Sequence, residues 1–180
     1  MKRTLLTALL AVFFLFTGCS DDKNTAIPDV GNMIATIDGR SWSSLVASGN
    51  EMSERGYNTI VVSGSRLNFQ DMSDSELILI SLIDISDNAI TTGEYEVGIN
   101  PSSSFLSYMK GMSQENFWAA ESGLVEVTEV SADQIKGRFE AVLTRELPGE
   151  ESEETLVITD GAFNVMITDQ EIELPDRPDR

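Results

Sequence analysis

The sequence predicts an all-β domain, an antiparallel β-sandwich or flattened barrel of roughly eight to ten short strands. Three observations carry that expectation. Apolar residues recur with a period of two along most of residues 33–168, Asp-Gly pairs sit between apolar segments, and no long stretch shows the 3.6 period of an amphipathic helix. The clearest strand spans residues 135–145. There Ile135, Gly137, Phe139, Ala141 and Leu143 share one face and Lys136, Arg138, Glu140 and Thr144 the other, with only Val142 out of step.

The remaining elements follow in chain order. Asp38-Gly39 and Asp160-Gly161 supply the positive φ angles of tight hairpin turns. They predict that residues 33–37 pair with 42–47, and 155–159 with 162–167. Further strands are expected at 57–63, 76–85, 94–97, 117–120 and 123–130. Residues 77–83 are apolar at every position but Ser81, which suits an interior strand covered on both faces or a short core helix. Residues 100–122, with Pro101, a run of serines and Gly111, interrupt the strand pattern. The regular alternation predicts Phe139, Leu143, Phe163 and Val165 in the core.

The chain begins with Met1, Lys2 and Arg3 and an apolar run over residues 5–16, the n-region and h-region of a secretory signal. At roughly 1.5 Å per helical residue the run is about 18 Å long, short of a hydrocarbon core of about 30 Å, which disfavours a permanent membrane span. It closes on Phe16-Thr17-Gly18-Cys19, which resembles the lipobox of bacterial lipoproteins, with Phe16 where Leu, Val or Ile is usual. The resemblance implies a signal peptide over 1–18 and a lipidated Cys19 as the new N-terminus. A plain signal peptide with an incidental cysteine is the other reading. Ser20-Asp21-Asp22-Lys23 resembles the acidic export signal of Bacteroidota lipoproteins. That likeness implies that Ser20, Asp21 and Asp22 direct the protein to the outer face of the outer membrane, although a solvated linker has the same composition. Residues 19–32 are then the lipidated N-terminus and tether, and 169–180, with Pro175, Pro178 and alternating charge, a disordered tail.

Several phrases extend the likeness into the domain. They are Ala35-Thr36-Ile37-Asp38-Gly39-Arg40-Ser41-Trp42, Thr92-Gly93-Glu94-Tyr95, Ser122-Gly123-Leu124-Val125-Glu126-Val127-Thr128 with Ile135-Lys136-Gly137-Arg138-Phe139, and Ile158-Thr159-Asp160-Gly161-Ala162-Phe163-Asn164-Val165. Together they resemble a domain-of-unknown-function family of short β-rich lipoproteins from the Bacteroidota, over most of residues 33–167. The resemblance implies a β-rich fold and brings no catalytic residues with it.

Charge and composition narrow the chemistry. The formal net charge is −18, and loss of residues 1–18, which hold two cations and no acid, makes it −20. Such a body repels nucleic-acid phosphates and anionic membrane surfaces, so contact with the membrane falls to the acyl anchor on Cys19. With its single cysteine assigned to lipid, the chain has no internal disulfide. The absence of histidine removes Ser-His-Asp and Cys-His catalysis and the usual zinc sites. No Gly-rich phosphate loop or nucleophile elbow is present, and no cofactor is expected. A carboxylate-dependent hydrolase is the remaining enzymatic reading. Asp84 is its one singled-out acid, with a strand-end role as the plainer account.

No metal site is expected. Asp71-Met72-Ser73-Asp74-Ser75-Glu76 gathers three acids without the spacing or glycine of an EF-hand, and reads as a solvated turn. The glutamate-rich run 146–154 reads as a wet hairpin loop. Trp42 reads as core. Tyr108, Phe117 and Trp118 are the candidate ligand contacts, as an aromatic platform in the irregular segment, or else rings that close the core. The expectation is therefore a non-catalytic binding or structural module of the envelope, with a glycan, a peptide or an envelope protein as partner. A calycin-like small-molecule carrier is the alternative, and an enclosed cavity of a few hundred Å³ would favour it.

Overall fold

The computed structural model describes residues 25–54, 57–85, 88–98, 104–111, 113–146 and 153–169. Cys19, Ser20, Asp21, Asp22 and the tail after Asp169 lie outside the described residues. The domain is all-β, as predicted. Its strands are β1 (Asn32–Ile37), β2 (Arg40–Ser43), β3 (Val46–Glu54), β4 (Tyr57–Arg66), β5 (Glu76–Asp84), β6 (Gly93–Gly98), β7 (Phe105–Lys110), β8 (Phe117–Val130), β9 (Gln134–Glu146) and β10 (Glu153–Asp169).

The ladder runs β2-β1-β10-β3-β4-β5-β7-β8-β6, and β9 joins β10 to β8. Seven strands, β10, β3, β4, β5, β7, β8 and β9, thus form a closed hydrogen-bonded ring, to which β1 and β2 add beside β10, and β6 beside β8. Strands that alternate in direction cannot close an odd-membered ring without one parallel pair. That pair is β10 with β3, from Ile167↔Gly49 to Asp169↔Glu51. The long strands β8 and β10 make the closure possible by splitting one edge between two partners. β10 pairs β1 and then β3, and β8 pairs β7 and then β6.

Inward positions follow the period of two and fill the ring with Ile78, Ile80, Leu82, Leu106, Ile135, Leu143, Ile158 and Val165, all without solvent exposure. Phe139 and Phe163 are buried as the alternation predicts. Each lies across from a glycine, Phe163 opposite Gly137 and Phe139 opposite Gly161. A Cβ on Gly137 would stand 2.5 Å from Phe163 Cζ, and one on Gly161 2.6 Å from Phe139 Cδ2. The glycines therefore supply the floor on which the rings lie.

Asp38-Gly39 forms the expected hairpin turn between β1 and β2, with φ of 47° and 75°. Asp160-Gly161 does not. β10 runs through it as one strand, and the register against β9 skips between Ile158 and Gly161. A two-residue turn of this type needs both residues at positive φ, and here only Asp160 has it, at 51°. The pair is a β-bulge that bends β10. Other expectations also change. β3 was not legible as a strand, β8 is one strand where two were predicted, and the described residues of the irregular segment include β7 and a 3-10 turn at Gln114–Asn116. β5 is an interior strand between β4 and β7, but its outward residues are only half-buried.

The predicted tether is folded onto the domain from Thr25 onward. Arg138 Nε donates to the Thr25 carbonyl at 3.2 Å, and Asn164 Nδ2 to the Pro28 carbonyl at 2.9 Å. Gly31 N donates to the Asn164 carbonyl at 2.7 Å, and Asn32 then opens β1.

Candidate functional site

The aromatic candidates do not form a common platform. Tyr108 on β7 and Trp118 on β8 are register partners, both point into the ring, and both are buried, with centroids 5.5 Å apart. The Arg145 guanidinium covers Trp118 at 4.4 Å from the ring centroid. Phe117, one residue earlier and so on the other face, is 36% exposed and stacks on Phe105. The placement follows from register, because successive residues of a strand face opposite sides.

Tyr108 leads instead to a site that sequence reasoning missed. Its hydroxyl donates to Glu76 Oε1 at 2.6 Å. Glu76 opens β5 with the same parity as Ile78 and Ile80, and is only 3% exposed. A carboxylate in that position requires partners, since a buried unpaired charge costs several kcal/mol or more. Arg40 Nη2, from β2, donates to the same oxygen at 2.6 Å. Arg66 Nη1 stands 3.8 Å from Glu76 Oε2. Burial, then the hydrogen bond and charge of Glu76, hold the Tyr108 phenol well above its usual range, so it remains a donor.

Sheet pairing sets the geometry. Glu76 faces Arg66 across one ladder and Lys110 across the other. Above the carboxylate lies an open groove of about 670 Å³, lined by Arg40, Leu45, Arg66, Leu67, Asn68, Phe69, Gln70, Asp74, Glu76 and Lys110. The Arg40 and Arg66 side chains are each 55% exposed, and Phe69 is 85% exposed. Among the described residues the Arg66 side chain makes no hydrogen bond and keeps only its 3.8 Å ion pair with Glu76, and the Lys110 side chain has neither a hydrogen bond nor an ion pair, which leaves donors of both available to the groove.

One wall is the turn 67–75. Asn68 Oδ1 accepts from Gln70 N and Asp71 N at 3.0 and 3.2 Å, and Ser75 Oγ accepts from Asn68 N at 3.0 Å. Asp71 caps the 3-10 turn Met72–Asp74, accepting from Ser73 N and Oγ. The Ser73 side-chain hydrogen bond and then its backbone one lower the Asp71 pKa. The acidic segment is therefore a capped turn, except that its last member, Glu76, is buried beneath the arginines. No group of three or more possible ligands among the described residues is placed to hold a metal ion.

The other acidic candidates are dispersed. Asp84 ends β5 opposite Asn58. Glu146 and Glu153 face each other at the ends of β9 and β10, and residues 147–152 between them lie outside the described residues. A second cleft of about 160 Å³ lies beside Thr25, Arg138 and Asp160. It is smaller, and Arg138 there is opposed by Glu126 at 3.7 Å.

Comparison with known proteins finds no family model, no curated protein and no solved structure that matches this chain. Among the described residues no helix is long and apolar enough to cross a membrane.

Proposed function

We propose that the chain is a non-catalytic, outer-membrane lipoprotein displayed on the cell surface, where it acts as a binding or structural module of the envelope. Its anchor is the acyl group on Cys19, and Ser20, Asp21 and Asp22 carry the export signal. The observation that favours a module over a calycin-like carrier is the filled ring. Side chains without solvent exposure occupy the inward positions of β5, β7, β9 and β10, whereas a carrier keeps a cavity there. Recognition then falls to the outer surface, which carries the polar groove over Glu76. An envelope glycan or protein is the partner class.

The address and the module are tested separately. Cys19→Ala removes the acyl acceptor, and the expected result is release from the membrane fraction after a high-salt wash. Retention would overturn the anchor. Protease shaving of intact cells is expected to cleave the wild type and spare a Ser20→Ala, Asp21→Ala, Asp22→Ala variant; equal protection would overturn the export signal. Saturable uptake of a long-chain fatty acid by the purified chain would replace the module with the carrier.

A further inference from the structure

We propose that the groove over Glu76 binds a short sugar carrying a single carboxylate, such as an oligosaccharide ending in a uronic acid. The inference rests on the binding-module reading and adds to it a site and a ligand class.

Charge favours such a ligand. In a chain of net charge −18, Arg40, Arg66 and Lys110 converge on one groove. Glu76, buried at the floor, fixes the guanidinium groups and offsets one of these charges, and Asp74 offsets another, so three cations against two acids leave the groove a net charge of +1. Arg66 and Lys110 lie on strands either side of β5, which places their backbones roughly 10 Å apart. That span accommodates one sugar ring, with a carboxylate against the Arg66 fork and hydroxyls against Lys110. Phe69, on the ordered turn beside them, offers an exposed aromatic face to the apolar side of such a ring.

The groove also disfavours other ligands. A polyanion meets the negative field of the whole body, and Asp74 stands on the groove wall. Screening over about 8 Å at physiological salt lets a single carboxylate feel mainly the local cations, whereas a long charged chain extends past them. An extended peptide would need an open strand edge. β4, β5 and β7 beneath the groove are paired on both sides, and the free edge beside it is that of β2, only four residues long, so little backbone ladder is offered there.

The test is calorimetric titration of the purified full chain with cellobiouronate, a glucose carrying one linked glucuronate. Cellobiose serves as the neutral control, a heparin hexasaccharide as the polyanion and a short acidic peptide as the protein-like ligand. The expected result is binding of the uronate at least about tenfold tighter than any of the three, weakened by added salt. Arg66→Ala, Lys110→Ala and Phe69→Ala should each weaken it about tenfold or more, Lys110→Ala and Phe69→Ala at unchanged melting temperature and Arg66→Ala at a lowered one because Glu76 loses a partner, and Lys136→Ala on a distant strand should leave it unchanged. No uronate binding up to about 10 mM overturns the proposal, as does equal binding of cellobiose, preference for the heparin fragment or peptide, or wild-type affinity in the Arg66→Ala, Lys110→Ala double variant. If uronate binding fails and fatty-acid uptake is also absent, the ligand class falls and the module stands. Fatty-acid uptake removes both.

Discussion

On the β9–β10 face the inward positions hold Phe139 and Phe163, each laid over a glycine on the neighbouring strand. At the β4–β5–β7 end the equivalent inward positions hold Glu76 and Tyr108, a carboxylate and a phenol bonded to each other beneath two arginines. The first region gains stability from burying apolar area and close packing. The second places a desolvated charge where an isoleucine would cost nothing, and offsets it with hydrogen bonds that only partly recover the loss. Two ends of one core thus follow different rules. The aromatic face maintains the fold, and the polar end holds cations in fixed positions on an otherwise acidic surface.

The comparison breaks most visibly at the aromatic face. Phe163→Ala should cost about 3 to 5 kcal/mol in urea unfolding, because the cavity it leaves is bounded by Gly137, which has no side chain to collapse into it. A loss under about 1 kcal/mol would mean that the packing is looser than the close contacts imply.

At the polar end Glu76→Ala should cost about 1 to 3 kcal/mol, since it strands the buried Tyr108 hydroxyl without an acceptor. The sharper form is a double variant. Glu76→Met with Tyr108→Phe removes both partners together, and is expected to recover to within about 1 kcal/mol of the wild type or to exceed it. Failure to recover would show that the pair contributes stability in its own right, and the contrast between the two regions would dissolve.

The smallest effect is a pH dependence. The folded chain holds the Tyr108 proton where the unfolded chain, with a phenol pKa of about 10, releases it. The folded state therefore binds more protons above that pH, and stability falls as pH rises from about 10 through the higher folded value. Denaturation midpoints measured across that range should decline less in Tyr108→Phe than in the wild type. Parallel declines would remove Tyr108 from the account.

Much of the aromatic face was legible in advance. Residues 135–145 alternate so regularly that Phe139 and Leu143 could be assigned to the core from their spacing alone, and Asp38-Gly39 was a sufficient signal for its turn. The same dipeptide at Asp160-Gly161 misled. Its local chemistry is the same, but there β9 pairs with residues on both sides of it and carries the strand onward as a bulge. The polar end was hardly legible. Glu76 has the inward parity of Ile78 and Ile80, which was the one available clue, but an acid beside Asp71 and Asp74 reads as the end of a wet turn.

Periodicity, turn chemistry and net charge are local or summed properties, so the sequence by itself determined that this chain forms a β domain, which faces of its strongest strands turn inward, and that its body is acidic. Ring closure, the bulge in β10 and the groove depend on which strands become neighbours. Arg40, Arg66, Glu76 and Lys110 come from four strands, and no local pattern connects them. Only the tertiary structure brings them together, because the cross-strand register that sets Arg66 and Lys110 on either side of a buried carboxylate follows from the packing of the whole ring.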